Sequence, residues 1–102
     1  MDIISDGPTL VLAGQFDVRS TMEVRSAIYE HLDSCEDDLV VDLSDVTSVD
    51  VIALRVLAAA THHAERRGRR LTLRGCGPAV RRLLHLSHLI RVVEVERAAA
   101  TA

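Results

Sequence analysis

Apolar residues along this chain fall in short runs and helical stripes that take turns. Leu10-Val11-Leu12-Ala13 is an aliphatic run closed by Gly14 and reads as a strand. From Ser20 onward, Val24, Ala27, Ile28, Leu32 and Cys35 recur at spacings of three and four, which is one face of a helix. Ser20 or Thr21 ahead of Glu23 offers a start, because a hydroxyl there can accept a hydrogen bond from an orphan N–H of the first turn. Leu39-Val40-Val41-Asp42-Leu43 is nearly all aliphatic and predicts a strand covered on both faces. A polar loop follows, then a helix over 51–67 that closes at Gly68, with Arg66 and Arg67 suited to its negative end. Leu71-Thr72-Leu73 is another short strand. Gly77-Pro78 opens a third helix over 78–87, with proline where no N–H is needed and Val80, Leu83, Leu84 and Ser87 inward. Val92, Val93 and Val95 predict a last strand near an edge, and Ile3 and Ile4 an antiparallel edge strand at the other end.

Strands that alternate with helices through short links predict an α/β fold. Its sheet should be mixed and mostly parallel, with four to five strands and three to four helices built by right-handed crossovers. Residues 1–97 form the expected domain and 98–102 a flexible tail. Binding surfaces of such sheets lie beyond the carboxyl ends of the strands. The loops Gly14 to Asp17, Ser44 to Ile52 and Arg74 to Pro78 should therefore meet on one side.

Composition narrows the function. A chain of 102 residues supports one core, and its apolar half is aliphatic, with Phe16 and Tyr29 the only aromatics. Single-strand nucleic-acid binding relies on aromatic stacking platforms, so direct nucleic-acid binding is not expected. No apolar run reaches the roughly 20 residues of a membrane span, and the acidic start lacks the features of a signal peptide; both suggest a cytoplasmic protein without membrane insertion. Charge is uneven: residues 1–54 hold 12 Asp and Glu against two Arg, and residues 55–102 hold 10 Arg against three Glu. An interleaved α/β fold should mix these halves in space.

The stretch Leu39 to Asp50, followed by an apolar helix, resembles the signature region of STAS domains. Gly14-Gln15-Phe16-Asp17 is similar to the Gly-x-x-Asp that ends an early strand in that family. Gly77-Pro78-Ala79-Val80-Arg81-Arg82-Leu83-Leu84, with Leu89-Ile90 after it, resembles the family's last helix and turn. The resemblance spans 8–96 and implies a single STAS-like domain acting as an anti-sigma factor antagonist. Such a protein sequesters a kinase-like anti-sigma factor by partner switching, works without cofactors, is not an enzyme and can form a homodimer. It implies a partner-binding surface at Asp17, Ser44, Thr47, Ser48, Asp50, Val51, Ile52, Ala53 and Arg55. The family usually reads Asp-Ser-Ser-Gly-Leu or a Thr variant where this chain has Asp50-Val51-Ile52-Ala53-Leu54. Ile52 thus holds the phospho-acceptor position without a hydroxyl, so no modification is expected there. The alternatives are a STAS subunit of a lipid-transport ABC assembly, and a module that binds nucleotide or phosphate.

Other residues have plainer readings. Asp50 suits an N-cap, and Asp17, with no helix directly after it, suits an interface better. Ser44, Thr47 and Ser48 are substitute phosphorylation sites or hydroxyls bonded to nearby backbone. His62-His63 and His85-x-x-His88 lack the further ligands a closed zinc site needs, so no metal is expected. Arg66-Arg67-Gly68-Arg69-Arg70 reads as a soluble helix end before it reads as a phosphate site. Cys35 follows a helix and Cys76 a strand, which puts them at opposite ends of the sheet, about 17–20 Å apart. A disulfide needs Cα atoms within about 7 Å, so Cys76 is expected as a lone thiol at the site.

Overall fold

The structure, a computed structural model, describes residues 1–96. The expected tail and the last residue of the expected domain lie outside them. Five strands form one sheet: β1 (Asp2–Asp6), β2 (Thr9–Phe16), β3 (Leu39–Val49), β4 (Leu71–Arg74) and β5 (Glu94–Val95). The helices are α1 (Thr21–Ser34), α2 (Val51–Arg66) and α3 (Pro78–Leu86), followed by a 3-10 turn at Leu89–Arg91. The order across the sheet is β1-β2-β3-β4-β5, antiparallel between β1 and β2 and parallel thereafter. The expected fold class and the N-terminal edge strand are therefore found.

Each crossover links neighbouring strands, and right-handed crossovers of that kind place every helix on the same face. Burial agrees. Leu10, Leu12, Leu39, Val41, Leu43, Leu71 and Leu73 are buried beneath the helices. Their alternates Val11, Val40, Asp42 and Thr72 are only half-buried. This corrects the expectation that the 39–43 strand is covered on both faces. The run Leu39-Val40-Val41 is aliphatic throughout, yet Val40 points to a face with no layer over it. The helices complete the core with Val24, Ile28, Leu32, Leu54, Leu57 and Leu84.

Three boundaries differ from the sequence pattern for local reasons. β3 runs on to Val49, so Ser44 to Ser48 are strand and not loop, because β2 pairs alongside as far as Phe16↔Val49. Ser20 precedes α1, but its hydroxyl does not cap the helix. It bonds the Gln15 carbonyl (3.1 Å) and accepts from the Asp17 N–H (3.2 Å), tying the helix to the end of β2. Val92 and Val93 are not strand: their N–H groups both return to the Leu89 carbonyl (2.9 and 3.0 Å), which leaves two residues for β5.

The arginine-rich turn has structural work to do. Arg69 donates to the carbonyls of Leu32 and Cys35, where α1 ends and its dipole is negative. Arg67 pairs with Asp33, and Arg70 with Glu94 at 3.1 Å. These contacts, with no bound anion required, account for three of the four arginines that suggested a phosphate site.

Candidate functional site

The three expected segments do lie together at the carboxyl end of the sheet, although Gly14 to Phe16 and Ser44 to Val49 belong to strands and not to loops. The Asp50 N–H donates to the Phe16 carbonyl (3.3 Å) and thereby joins the end of β2 to the entry of α2. Asp50 has extended backbone, and its Oδ1 accepts from the Ala53 N–H at 2.8 Å, the N-cap geometry. Asp50→Ala should cost about 1 kcal/mol in denaturant unfolding, with Asp50→Asn retaining most of it.

Beyond the cap the family-matched residues separate. Val51 is half-buried and Ala53 is fully buried, so Ala53 offers no side-chain surface. Ile52 is 47% exposed, and Arg55 lies one turn further on the same exposed side. Asp17 follows β2 at the same end of the sheet, lines a hollow with Met1, Gln15 and Glu23, and is engaged locally. Its Oδ1 accepts from the Arg19 N–H and its Oδ2 from the Arg19 guanidinium, both at 3.0 Å. The hydrogen bonds from Arg19 hold the carboxyl below its ordinary range. An exposed pair of this kind is worth little in stability and is free to exchange for a partner's charge.

Two residues missing from the sequence reading complete the surface. Val18 and Met22, at the end of β2 and in the first turn of α1, are 56% and 66% exposed. With Ile52 they put three exposed apolar side chains at the end of the sheet where α1 and α2 begin, the end that also carries Asp17, Arg19 and Arg55. The signal was present: Met22 falls off the stripe formed by Val24, Ile28 and Leu32, and Val18 interrupts a polar run.

Ser44, Thr47 and Ser48 stand on the part of β3 that outruns β4, whose pairing stops at Asp42↔Arg74. All three are exposed. The edge left free borders a groove of about 360 Å³ between β3 and the first turns of α3, floored by Val46, Val49, Val80 and Leu83. Cys76 is buried behind it, and burial pushes its thiol up, so little reactive thiolate forms. Both cysteines are free. His88 has a left-handed backbone (φ 63°) after α3 has ended, which takes it off the helix that carries His85. Among the described residues no three His, Cys, Asp or Glu gather as a metal set.

The family model described as "Mlab, STAS domain" matches residues 2–94. A STAS-domain containing protein of Pseudomonas aeruginosa is 30% identical over 87 residues, 85% of this chain and 85% of that protein. Two solved structures share the fold. One is a Thermotoga maritima protein proposed to be an anti-sigma factor antagonist, with TM-score 0.78 and 19% identity over 95% of this chain and 86% of its own. The other is an anti-sigma factor antagonist from Mycobacterium paratuberculosis, with TM-score 0.75 and 23% identity over 94% of this chain and 83% of its own.

Proposed function

We propose, from the premise that this chain belongs to the STAS domain family, that it is an anti-sigma factor antagonist which binds its target stoichiometrically and catalyses nothing. The observation that carries the reading is Ile52, an aliphatic side chain 47% exposed in the first turn of α2. A helix start normally exposes polar residues. Ile52, Val18 and Met22 are exposed apolar side chains at the starts of α1 and α2, the end of the sheet that also carries Asp17, Arg19 and Arg55. This composition suits a protein interface with an apolar centre and a polar rim. Asp50 caps the helix that carries Ile52 and Ala53 packs beneath it, while Ser44, Thr47 and Ser48 border the separate groove between β3 and α3.

The phosphate switch that the family resemblance implies has no acceptor at Ile52, so the domain stays in its binding form. Incubation with ATP and a cognate-type kinase should leave the intact mass unchanged. A phosphate on Ser44, Thr47 or Ser48 would show that the switch has moved along β3. Because the matching family model is described as Mlab, a second reading is a STAS subunit of a membrane transport assembly. No described helix is long and apolar enough to cross a membrane, so this chain would attach to such an assembly through a protein partner. Affinity purification from native lysate separates the readings: a kinase-like anti-sigma factor supports the first and a transporter ATPase the second.

A further inference from the structure

The strand order carries sequence charge into space. Because each crossover lands on the next strand, position along the chain becomes position across the sheet, and the acidic and basic segments do not mix as the sequence reading expected. Residues 1–38 build β1, β2 and α1 with nine Asp and Glu and two Arg. Residues 66–93 build the end of α2, β4, α3 and the 3-10 turn with eight Arg and no acidic residue.

Some of this opposition is met within the molecule, at the foot of the sheet. Arg67 pairs with Asp33. The remainder faces outward. On one edge Asp2, Asp6, Glu23 and Glu30 are exposed, and none joins an ion pair among the described residues. Glu23 and Glu30, two helical turns apart, share the stripe of α1 that borders the N-terminal strand: Glu30 lines a hollow with Ile3 and Ser5, and Glu23 one with Met1. On the opposite edge Arg82 and Arg91 are exposed and likewise unpaired among the described residues. Each edge also presents an aliphatic side chain among its charges. Ile4, 59% exposed, lies between Asp2 and Asp6 on the face of β1 turned away from α1, opposite to the face on which Ile3 and Ser5 meet Glu30. Leu86, 68% exposed, lies one turn beyond Arg82 on α3.

We propose that the occupant of the basic α3 edge is a second copy of this chain, docked by its acidic β1–α1 edge. The complementary surface is the far side of the same molecule, where the unpaired exposed charges are of the opposite sign. Opposite edges make the contact head-to-tail, so it repeats from molecule to molecule and does not close as a dimer. Complementary fields steer the encounter, and salt screens them. Glu23 shares a hollow with Asp17 and Arg19, so it adjoins the target-binding end, whereas Glu30, Arg82 and Arg91 lie away from it. Self-association is read without any target present and so stands or falls on its own.

Sedimentation equilibrium tests it. At about 0.01 M salt, where the Debye length is about 30 Å, the weight-average mass should climb above 11.2 kDa with protein concentration. At about 1 M, where screening acts within about 3 Å, it should return to 11.2 kDa. Glu23→Arg/Glu30→Arg leaves Asp2 and Asp6 to cancel the two new arginines and so removes the acidic edge, and Arg82→Glu/Arg91→Glu makes both edges acidic. Each alone should therefore associate at least about tenfold more weakly. Their equimolar mixture should associate again, since it re-forms the original pairing. Circular dichroism on each variant confirms that both are folded. A wild-type mass that stays at 11.2 kDa in low salt at every concentration overturns the proposal. So do folded variants that associate like the parent, and a mixture that remains monomeric.

Discussion

Ile52→Glu should leave the melting temperature almost unchanged and weaken binding to an anti-sigma factor by about tenfold or more. Stability is kept because the side chain is 47% exposed and stands in the first turn of α2. An anion near a helix N-terminus is favoured by roughly 0.3–1 kcal/mol, which offsets the small apolar contact that is lost. Binding suffers because the new carboxylate must leave water against an apolar partner surface. Each 1.4 kcal/mol or so of that uncompensated cost is about a factor of ten in affinity, and burying a polar group without a partner commonly costs more. Thermal melts and a titration on the same sample decide it. A large fall in melting temperature would return Ile52 to the core, where truncation alone costs about 2–5 kcal/mol. An unchanged melt with unchanged affinity would remove Ile52 from the interface.

Gly75→Ala should be the more damaging change to the fold, lowering stability by about 2–4 kcal/mol. Gly75 joins β4 to α3 with φ +72°, a left-handed backbone that costs a residue with a Cβ roughly 1–2 kcal/mol. An added Cβ would also come 2.9 Å from the Ser44 backbone nitrogen and overlap the Ser44 hydroxyl. Backbone cannot step aside as a flexible side chain can, so either the turn opens or the end of β3 shifts. At about 4–8 °C per kcal/mol for a domain this small, the melting temperature should fall by roughly 10 °C or more. Gly68→Ala is the control: φ there is +71°, but nothing lies within 4 Å of the added carbon. It should show the backbone strain alone. Equal losses at the two positions would mean that the close approach to Ser44 contributes nothing.

What could be read from residue order divides by mechanism. Local signals were readable. Asp50 ahead of an apolar stripe marked a cap, Pro78 a helix start, and the runs at Leu10 and Leu39 two strands, and each is found there, with the strand from Leu39 covered on one face and not on both. Features set by a neighbouring strand were not. Ser44-Asp45 and Thr47-Ser48 carry loop chemistry, and only the length of β2 alongside holds them extended. Val40 is as aliphatic as Val41, and nothing in either residue says which one has a helix above it. The site was legible in part for the same reason. Asp17 and Ile52 of the proposed surface were named from motif positions, whereas Val18 and Met22, apolar residues off the buried stripe, gained a place in it only once the starts of α1 and α2 were seen at one end of the sheet.

The sequential strand order also shapes how the chain can fold. β2 and β3 form the most extensive pairing in the sheet and are joined by α1 alone. Each later strand adds to the strand immediately before it in the chain, so no pairing waits for a distant segment to return. Loop-closure entropy slows folding when contacts join remote parts of a chain, and here every ladder closes across a single helix or a tight turn. During synthesis from the N-terminus, β1, β2, α1 and β3 can assemble before β4 has been made. The sheet can then grow outward one crossover at a time, from its acidic edge toward its arginine-rich one.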